Sequence, residues 1–408
     1  PYTTLFRSEY NGYKVYGADG AQMSVEDTAE VVKYISAVTD YFSVKEDEIK
    51  DISTYKDRGA YTVIGKSFEK TYYKCLLRLT LSKKAVKEVG KKIKIVYTPV
   101  HGSGYIPVTT VLKKLGIKAT VVEEQTIADP NFSTVEVPNP EFKETLSMGI
   151  ALADKIKADA VFGTDPDCDR LGVAVRNDEG EFVALSGNQT GVLLLDYILL
   201  RLKAENKLPA NGVVVKSFVS TGMAQLVCNN YGVELVETPV GFKYIGEKIK
   251  QYECDGSHTF IFGFEESCGY LRGTHARDKD AVVASMLFAE MACYYESVGK
   301  SVYQRLCELY AKYGFVLDAT DSIKYSGLSA MSDMNAAVDG MRGKTVTAIG
   351  NYTVSGVRDY LTGVRKSEDG EEELNIKGVN CIYYELLSGG FICLRPSGTE
   401  PKLKIYYS

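Results

Sequence analysis

The sequence predicts an α/β protein made of repeated α/β units, with a small α+β domain at its C-terminal end. Apolar runs of strand length alternate with segments of helical period through most of the chain, which is the pattern of α/β folds. The same order of elements occurs twice, and the last quarter departs from it. At 408 residues and 44.9 kDa the chain is too long for a single core, so about three domains are expected.

Each copy of the repeated unit contains a strand, a glycine turn, a helix, a glycine stop and a second strand. In the first copy the strand covers 92–100, the turn is HGSG, the helix runs to Leu115 and the next strand covers 118–123. The second copy repeats this order over 212–239, with its helix at 223–231. Units of this kind place the loops after their strands on one side, where α/β proteins bind ligands.

The last quarter of the sequence has a different, mixed pattern. An amphipathic helix over 301–314 is followed by a predicted helix over 329–343. The strands NCIYYELL and GFICLRPSGTEPKLKIYY close the chain. This order predicts a small α+β domain that begins at about residue 316.

The composition excludes several classes of protein. The net charge of −5 and the lack of a long Lys/Arg block argue against a nucleic-acid or membrane-surface partner. The longest apolar run, GVLLLDYILL, contains Asp196 and is too short to span a bilayer. Nine cysteines without a C-x-x-C pair are typical of a reduced, cytoplasmic protein, and three histidines do not favour a His/Cys zinc site. Any metal should therefore be bound by oxygen atoms.

The stretch VFGTDPDCDRLGVAV places aspartates at every second position after an apolar run. On an extended segment Asp165, Asp167 and Asp169 project to one side, so that their charges converge and repel. A divalent cation relieves this repulsion, and oxygen ligands suit Mg²⁺, which takes its remaining ligands from water and a phosphate oxygen. The stretch therefore predicts a magnesium site, and Arg170 beside it is suited to hold a phosphate.

Two other interpretations of this acidic stretch are weaker. An EF-hand loop fails, because Arg170 and Arg176 stand where that loop needs glycine and glutamate. A solvated acidic turn would suit a lone pair of aspartates, but three aligned acids favour a metal site.

A second stretch, LRPSGTEPKLK, has the donors of a phosphate-binding turn. An arginine, two hydroxyl side chains and a glycine can surround a phosphate with side-chain and backbone donors. The alternative is a proline-bounded turn between strands. The candidate residues are Arg395, Ser397, Gly398, Thr399 and Lys402.

Three further stretches carry weaker signals. In FGFEESCGYLRG, Glu265 and Ser267 are suited to grip vicinal sugar hydroxyls, although a surface turn fits equally well. TPVGFKYIG is a glycine turn that carries Lys243. RDKDA, at 277–281, is most simply a salt-bridged helix start.

The chain resembles the α-D-phosphohexomutases in six motifs, taken in order: EYNGYKVYGADGAQ, YTPVHGSG, GTDPDCDRLG, TPVGFKYIGEKI, GFEESCGYL and RPSGTEPK. The likeness is best to the bacterial phosphoglucomutase type, whose relatives include phosphopentomutases. The motifs extend over residues 9–402, nearly the whole chain. The resemblance implies four domains around a central cleft, three of them similar α/β layers. The expected divisions are 1–66 as a remnant of domain 1, 67–185 as the metal-binding α/β domain 2, 186–315 as the sugar-binding α/β domain 3, and 316–408 as the phosphate-binding α+β domain 4.

The resemblance also implies an activity, the intramolecular transfer of a phosphoryl group between O1 and O6 of a hexose. A Mg²⁺-bound phosphoserine gives its phosphoryl group to the sugar. The bisphosphorylated intermediate then reorients in the cleft and returns its other phosphoryl group to the serine. Such catalysis depends mostly on positioning and on neutralising phosphoryl charge. By motif match, Asp165, Asp167 and Asp169 would bind Mg²⁺, Arg170 would contact the phosphoserine, Lys14 would be the acid/base, Glu265 and Ser267 would bind sugar hydroxyls, Gly241 and Lys243 would line the sugar, and Arg395, Ser397, Gly398 and Thr399 would bind the distal phosphate.

The chain departs from the family pattern in one essential segment. The family serine lies ten residues before the matched lysine, in a segment like T-A-S-H-N-P, but counting back from Lys14 reaches Thr4 in PYTTLFRS. We hypothesise that residues 1–8 are foreign, translated from a sequencing-adapter end, and that both ends of the chain are incomplete. A native reading frame encoding PYTTLFRS upstream of Glu9 in genomic DNA would refute this. We therefore expect a gene for a phosphoglucomutase and a polypeptide with little or no mutase activity.

Three alternatives stay open at the level of sequence. A Mg²⁺-dependent phosphatase of the D-x-D type is less favoured, because Gly163 and Thr164 separate the acids from the apolar run. Phosphomannomutase or phosphopentomutase activity fits as well, since one sugar configuration changes few contacts. A non-catalytic phosphosugar-binding relative would lack the serine by nature.

Overall fold

The computed structural model describes residues 2–3, 12–40, 42–43, 51–57, 61–327, 329–397 and 401–408. Two predicted phosphate-binding residues, Gly398 and Thr399, lie outside the described residues, and so does Thr4, the position that the motif match gives to the serine. The described part is a mixed α/β protein with four sheets, which confirms the predicted fold class.

The first described segments form a short ladder and two helices. β1 (Tyr2–Thr3) pairs antiparallel with β2 (Gly12–Tyr13), and α1 (Val25–Ser36) and α2 (Ile52–Asp57) follow. The Ser24 side chain caps α1 by accepting a hydrogen bond from the backbone N–H of Asp27. The segment between β2 and α1 carries Lys14 and reaches the later units through its side chains.

The first α/β unit is built on a five-stranded sheet. Its elements are α3 (Lys66–Arg78), α4 (Lys83–Val89), β3 (Ile95–Thr98), α5 (Tyr105–Leu115), β4 (Ala119–Val121), α6 (Ser147–Ile156), β5 (Ala160–Thr164), β6 (Leu171–Arg176) and β7 (Phe182–Leu185). The strand order is β4-β3-β5-β6-β7, with β3 parallel to β4 and β5 and an antiparallel hairpin at the end. β3 ends before the predicted residue 100, because Val100 and His101 adopt left-handed φ angles of 47° and 60°.

The second α/β unit repeats this topology. Its elements are α7 (Gly187–Ala204), β8 (Gly212–Ser217), α8 (Met223–Tyr231), β9 (Glu234–Thr238), α9 (Phe242–Asp255), β10 (Thr259–Glu265), β11 (Gly269–Arg272), α10 (Ala281–Ser297) and α11 (Val302–Tyr313). The order β9-β8-β10-β11, with β8 parallel to β9 and β10 and antiparallel β11 beside β10, matches β4-β3-β5-β6. The predicted repeat is confirmed, and α8 ends at Gly232 as expected, with a φ of 69° that suits glycine.

The C-terminal region is an antiparallel sheet with one helix on it. Its elements are β12 (Ala319–Lys324), α12 (Ala330–Arg342), β13 (Ala348–Ile349), β14 (Tyr352–Asp359), β15 (Val364–Ser367), β16 (Gly370–Glu373), β17 (Ile382–Leu386), β18 (Phe391–Pro396) and β19 (Lys402–Tyr407). The order is β12-β19-β18-β17-β14-β15-β16, and β13 pairs with β14. Met334 and Val338 of α12 pack on Ile382, Tyr384 and Leu403, which fits the predicted α+β character.

Two cores hold these units together. One continuous core joins the two α/β units, and almost every side chain of α10 is buried in it. A second core joins the second α/β unit to the C-terminal sheet. Phe218 and Val219, just after β8, lie among aromatic side chains of that sheet, and the Phe218 ring stacks on Tyr360 at 4.3 Å. The hydrophobic effect therefore couples neighbouring units.

The apolar run around Asp196 is the buried helix α7, and Asp196 is neutralised inside the protein. Its side chain is 1% exposed, and Arg305 donates to Oδ2 from Nε at 3.0 Å and from Nη2 at 2.8 Å. Tyr231 donates to Oδ1 at 3.1 Å. Among the described residues, no helix has the length and apolar character needed to cross a membrane.

Asp196→Ala is expected to lower the free energy of unfolding by about 3–5 kcal/mol, because it leaves the Arg305 guanidinium without its buried partner. Glu308→Ala is the matched control. Glu308 pairs with the same arginine at 2.8 Å but is 38% exposed, so its loss should cost under about 1 kcal/mol. Urea unfolding of both variants measures the difference, and similar costs for the two would contradict the prediction.

Candidate active site

The acidic loop follows β5 directly at the carboxyl end of the parallel strands. β5 runs to Thr164, so Gly163 and Thr164 belong to the strand, and the sequence argument that used them against a phosphatase is wrong. Asp165 is fully buried, and its Oδ1 accepts hydrogen bonds from the backbone N–H groups of Asp169 at 3.0 Å and Arg170 at 2.9 Å. The loop is therefore folded around its own first carboxylate.

The structure brings the three predicted metal ligands together. One carboxylate oxygen from each of Asp165, Asp167 and Asp169 lies within 4.8 Å of the others. Among the described residues, no hydrogen-bond donor reaches the buried atoms Asp165 Oδ2 and Asp169 Oδ1. Burial raises the pKa of Asp165 well above its ordinary value, and the neighbouring aspartates add to this. Carboxylate oxygens that converge and accept no hydrogen bond fit a hard divalent cation such as Mg²⁺.

Two lysines form ion pairs with the same acids. Lys14 Nζ lies 2.8 Å from Asp167 Oδ2 and 2.9 Å from Asp169 Oδ2, and Lys279 Nζ lies 3.0 Å from Asp169 Oδ2. Burial alone would raise the pKa of Asp169, but the charges of Lys279 and Lys14 outweigh it and lower that pKa. Burial opposes the charge of Lys14, yet the aspartates raise its pKa above the ordinary value. In this arrangement Lys14 is a charged partner of the acids, whereas the resemblance implies an acid/base.

Arg170 lies between the acids and a glutamate that sequence reasoning missed. Its Nη1 donates to Glu141 Oε1 at 2.6 Å, and its Nε lies 3.8 Å from Asp165 Oδ2 and 3.9 Å from Asp169 Oδ1. Burial opposes the charge of Arg170, but Glu141 and the aspartates raise its pKa. Glu141 therefore helps to hold the guanidinium beside the metal loop.

The HGSG turn after β3 supports the acidic loop from one side. Ser103 donates to the carbonyl oxygen of Pro166 from its backbone N–H at 2.8 Å and from its Oγ at 3.1 Å. Gly102 is needed for this approach, since a Cβ there would lie 2.4 Å from the Cα of Pro166. The turn thus fixes the residue between Asp165 and Asp167.

The FEES loop, named after residues 264–267, occupies the position in the second unit that the acidic loop, residues 165–170, occupies in the first. It joins β10 to β11, as the acidic loop joins β5 to β6. The two loops contact each other, because Arg170 forms a β-bridge with Gly269 and the backbone N–H of Leu171 donates to Cys268 O at 2.9 Å. Cys168 and Cys268 both adopt left-handed φ angles, of 58° and 64°.

The side chains of the FEES loop point to different places. Glu265, at the end of β10, is 4% exposed, whereas Ser267 is half-buried. Glu266 Oε2 accepts hydrogen bonds from Ser217 Oγ at 2.8 Å and Ser220 Oγ at 3.3 Å. Glu265 therefore lies in the interior beside the acidic loop, and Ser267 is the more accessible of the two predicted sugar ligands.

Glu265→Gln is expected to raise the free energy of unfolding at pH 8 and to leave it nearly unchanged at pH 5. Burial raises the pKa of Glu265 from its ordinary 4.5 to about 7, although Lys279 and Arg170 oppose this. Between these values the folded protein keeps a proton that the unfolded chain releases, so stability falls as the pH rises through that window. Because glutamine does not titrate, the variant does not lose the up to ~3 kcal/mol of unfolding free energy that the unchanged protein loses as the pH rises.

Urea unfolding of the Glu265→Gln variant at both pH values is the measurement. The exposed Glu181→Gln serves as the control and should show no such difference. An equal effect of Glu265→Gln at pH 5 and pH 8 would contradict the assignment.

The RDKDA segment does more than start a helix. α10 begins at Ala281 as predicted, and Asp280 caps it by accepting hydrogen bonds from the backbone N–H groups of Val282 and Val283. Lys279, however, projects from this helix start to Asp169. Sequence reasoning missed Lys279 as a site residue, since nothing in the segment shows which loop its side chain will face.

The structure places the remaining predicted residues in the second α/β unit and in the C-terminal sheet. Gly241 precedes α9, and Lys243 Nζ lies 4.9 Å from the ring centroid of Tyr244; among the described residues it forms no ion pair with the acidic loop. Arg395 Nη1 donates to Tyr406 Oη at 3.3 Å, and burial opposes its charge, while Tyr406 and Glu266 raise its pKa. The backbone N–H of Ser397 donates to the carbonyl oxygen of Lys402 at 2.9 Å.

The fold and the acidic site are those of an intramolecular phosphotransferase, that is, a mutase. Two family models match the chain. "Phosphoglucomutase/phosphomannomutase, alpha/beta/alpha domain II" matches residues 70–180 and the corresponding domain III matches residues 186–313. The chain belongs to the phosphoglucomutase/phosphomannomutase family.

Known relatives cover almost the whole chain. A phosphoglucomutase of Staphylococcus haemolyticus is 33% identical over 407 residues, which are 98% of this chain and 71% of that protein. A Thermus thermophilus structure assigned as a phosphomannomutase superposes with a TM-score of 0.66 at 20% identity, over 99% of this chain and 72% of that one. The structure of the Aspergillus fumigatus N-acetylphosphoglucosamine mutase, in complex with GlcNAc-6P and magnesium, superposes with a TM-score of 0.54 at 14% identity. The match covers 98% of this chain and 83% of that one. At such identities the two structures support the fold.

Proposed function

We propose that the protein is of the phosphoglucomutase type and binds glucose 1-phosphate, glucose 6-phosphate and their bisphosphate beside Mg²⁺. The observation that carries this proposal is the convergence of Asp165, Asp167 and Asp169, with two buried oxygens that lack a donor among the described residues. The Staphylococcus haemolyticus relative is a phosphoglucomutase, and the Aspergillus fumigatus structure holds a phosphosugar with magnesium. A cytoplasmic location is also our proposal, based on the cysteine usage of the sequence.

The proposed mechanism assigns the acidic loop to the transferring phosphoryl group. A cation bound there would neutralise charge on phosphoryl oxygens. Arg170 is placed to donate to the same group, since its Nε lies within 4 Å of two of the acids. Lys14 and Lys279 balance the charge of the acids. The protein would thus work by positioning and by charge stabilisation.

The sugar and its distal phosphate are proposed to lie towards the second α/β unit and the C-terminal sheet. Ser267 is accessible for sugar hydroxyls, and Glu265, with a pKa of about 7, can carry a proton to donate to one. The proposed lining residues of this region are Gly241, Lys243, Glu265 and Ser267 for the sugar, and Arg395, Ser397, Gly398 and Thr399 for the phosphate. We retain the divisions 1–66, 67–185, 186–315 and 316–408 as proposed domain boundaries.

We further propose that this polypeptide binds phosphosugar but turns it over slowly or not at all. The sequence contains no T-A-S-H-N-P segment, and Thr4 stands where the motif match expects the serine. Without that nucleophile the acids and cations can still bind a bisphosphate, but no phosphoserine can form at that position. Mannose and ribose phosphates are the competing substrates, because few contacts distinguish them.

Calorimetric titration with glucose 1,6-bisphosphate, with and without MgCl₂, tests the proposal. We expect binding that requires Mg²⁺, together with no conversion of glucose 1-phosphate to glucose 6-phosphate in a coupled assay. Mannose 1,6-bisphosphate and ribose 1,5-bisphosphate are the matched ligands for sugar preference. Conversion at the rate of a phosphoglucomutase that has the serine would contradict the proposed inactivity, and absence of bisphosphate binding would contradict the proposed function.

A further inference from the structure

Two lysine side chains converge on a single carboxylate oxygen of the acidic loop. Lys14 Nζ lies 2.9 Å and Lys279 Nζ 3.0 Å from Asp169 Oδ2, and Lys14 Nζ also lies 2.8 Å from Asp167 Oδ2. The lysine side chains are 22% and 11% exposed, so water and salt screen them little. An internal ion-pair cluster therefore stands where the three acids converge.

We infer that Lys14 and Lys279 are internal counter-ions that compete with a divalent cation for the carboxylates of Asp167 and Asp169. The inference rests on the proposed metal site. Asp165 points independently to a ligand there, because it is fully buried and its Oδ2 has no hydrogen-bond donor among the described residues. Lys14 is the more informative of the two lysines, since it bridges two of the acids.

Charge repulsion decides whether Lys14 strengthens or weakens metal binding. A cation held by all three acids would lie within a few ångströms of the Lys14 ammonium nitrogen, because both bind the carboxylates of Asp167 and Asp169. At such a distance in a poorly hydrated site, repulsion between a divalent cation and an ammonium exceeds the orienting benefit that a lysine gives to a ligand. Metal binding therefore loosens Lys14, and removal of Lys14 strengthens metal binding.

The segment that carries Lys14 should respond to the metal. Residues 14–22 are also held by Tyr16, whose hydroxyl donates to Asp278 Oδ2 at 3.0 Å, and by Asp19, which pairs with Lys250 at 2.6 Å. Linkage is reciprocal, so docking of this segment weakens metal binding by the same factor as the metal weakens docking. Added Mg²⁺ should therefore raise amide hydrogen exchange in residues 14–22.

Calorimetric titration of the full chain with MgCl₂ tests the inference. Lys14→Met is expected to bind Mg²⁺ about tenfold more tightly than the unchanged chain, or better. Lys14→Arg keeps the charge and should bind like the unchanged chain. Lys366→Met is the matched control, because it breaks an ion pair to Glu371 at 2.8 Å in the C-terminal sheet, outside both the acids and residues 14–22, and it should also leave the affinity unchanged.

Each outcome bears on the inference. Equal or weaker binding by Lys14→Met overturns it and makes Lys14 an orienting partner, whose loss costs about 10–100-fold in affinity; the metal site itself then stands. No binding by either the unchanged chain or the variant removes the metal site and the inference together. Hydrogen exchange on the unchanged chain needs no variant: a Mg²⁺-dependent rise in residues 14–22 supports the inference, and no rise overturns it.

Discussion

Asp165→Asn is expected to weaken Mg²⁺ binding by about 100-fold or more while leaving the fold intact. The asparagine keeps Oδ1, which accepts the backbone hydrogen bonds from Asp169 and Arg170, so the loop retains its internal support. It replaces Oδ2, which accepts no hydrogen bond from the described residues, by an NH₂ group, which turns a ligand atom into a donor facing the cation. Calorimetry with MgCl₂ measures the loss.

Asp154→Asn provides the control for this variant. Asp154 is an acid of the same α/β unit, but its partner is Arg176 and it lies outside the acidic loop. We expect its variant to bind Mg²⁺ like the unchanged chain. If Asp165→Asn keeps its affinity within about threefold, the carboxylate of Asp165 does not ligate the metal and the proposed site is wrong.

Replacing residues 2–7, YTTLFR, by TASHNP is expected to raise mutase activity by about 1,000-fold or more. The exchange keeps the chain length and places a serine ten residues before Lys14. The physical reason is that a covalent phosphoserine divides one transfer into two, each of which can use the cations beside the acidic loop. A coupled assay of glucose 6-phosphate formation, started with glucose 1,6-bisphosphate as the phosphoryl donor, measures the gain.

The same exchange with TAAHNP isolates the hydroxyl group. It should leave activity at the level of the unchanged chain and should not become phosphorylated, which mass spectrometry of the intact protein detects. Equal activity of the two exchanged chains would mean that this serine is not the nucleophile. If the unchanged chain were as active as the chain with TASHNP, a T-A-S-H-N-P segment would not be essential for the activity.

The fold was predictable where a local pattern decides it. The helix α8 begins and ends where its period and Gly232 indicate, and the two α/β units show the predicted repeat. Strand ends were less predictable: β3 stops at Thr98, because the non-glycine residues Val100 and His101 adopt left-handed φ angles. His101 is held in this conformation by its backbone N–H, which donates to Gln125 O at 2.9 Å, and by ring contacts to Ile127 O and Thr134 Oγ1, none of which the local sequence encodes.

The site was predictable to the extent that its residues are close in sequence. Alternation brings Asp165, Asp167 and Asp169 together on one loop, so the acidic triad could be found from the sequence. Glu141 is 29 residues from Arg170 and Lys279 lies on another unit, so only the packed fold shows that they meet the acids. The correspondence of the acidic and FEES loops likewise emerges from strand order, since the two loops share little sequence.

The ring stack of Phe218 on Tyr360 has a consequence for how the C-terminal sheet is attached to the second α/β unit. Apolar burial is non-directional, so a small rotation of the C-terminal sheet about Phe218 should change the buried area less than a straight separation would. Pulling the sheet straight away would instead expose both rings and Val219 to water at once. This apolar contact therefore resists separation of the two units more than it resists rotation. A rotation would move Arg395, which lies on the C-terminal sheet, along a curved path.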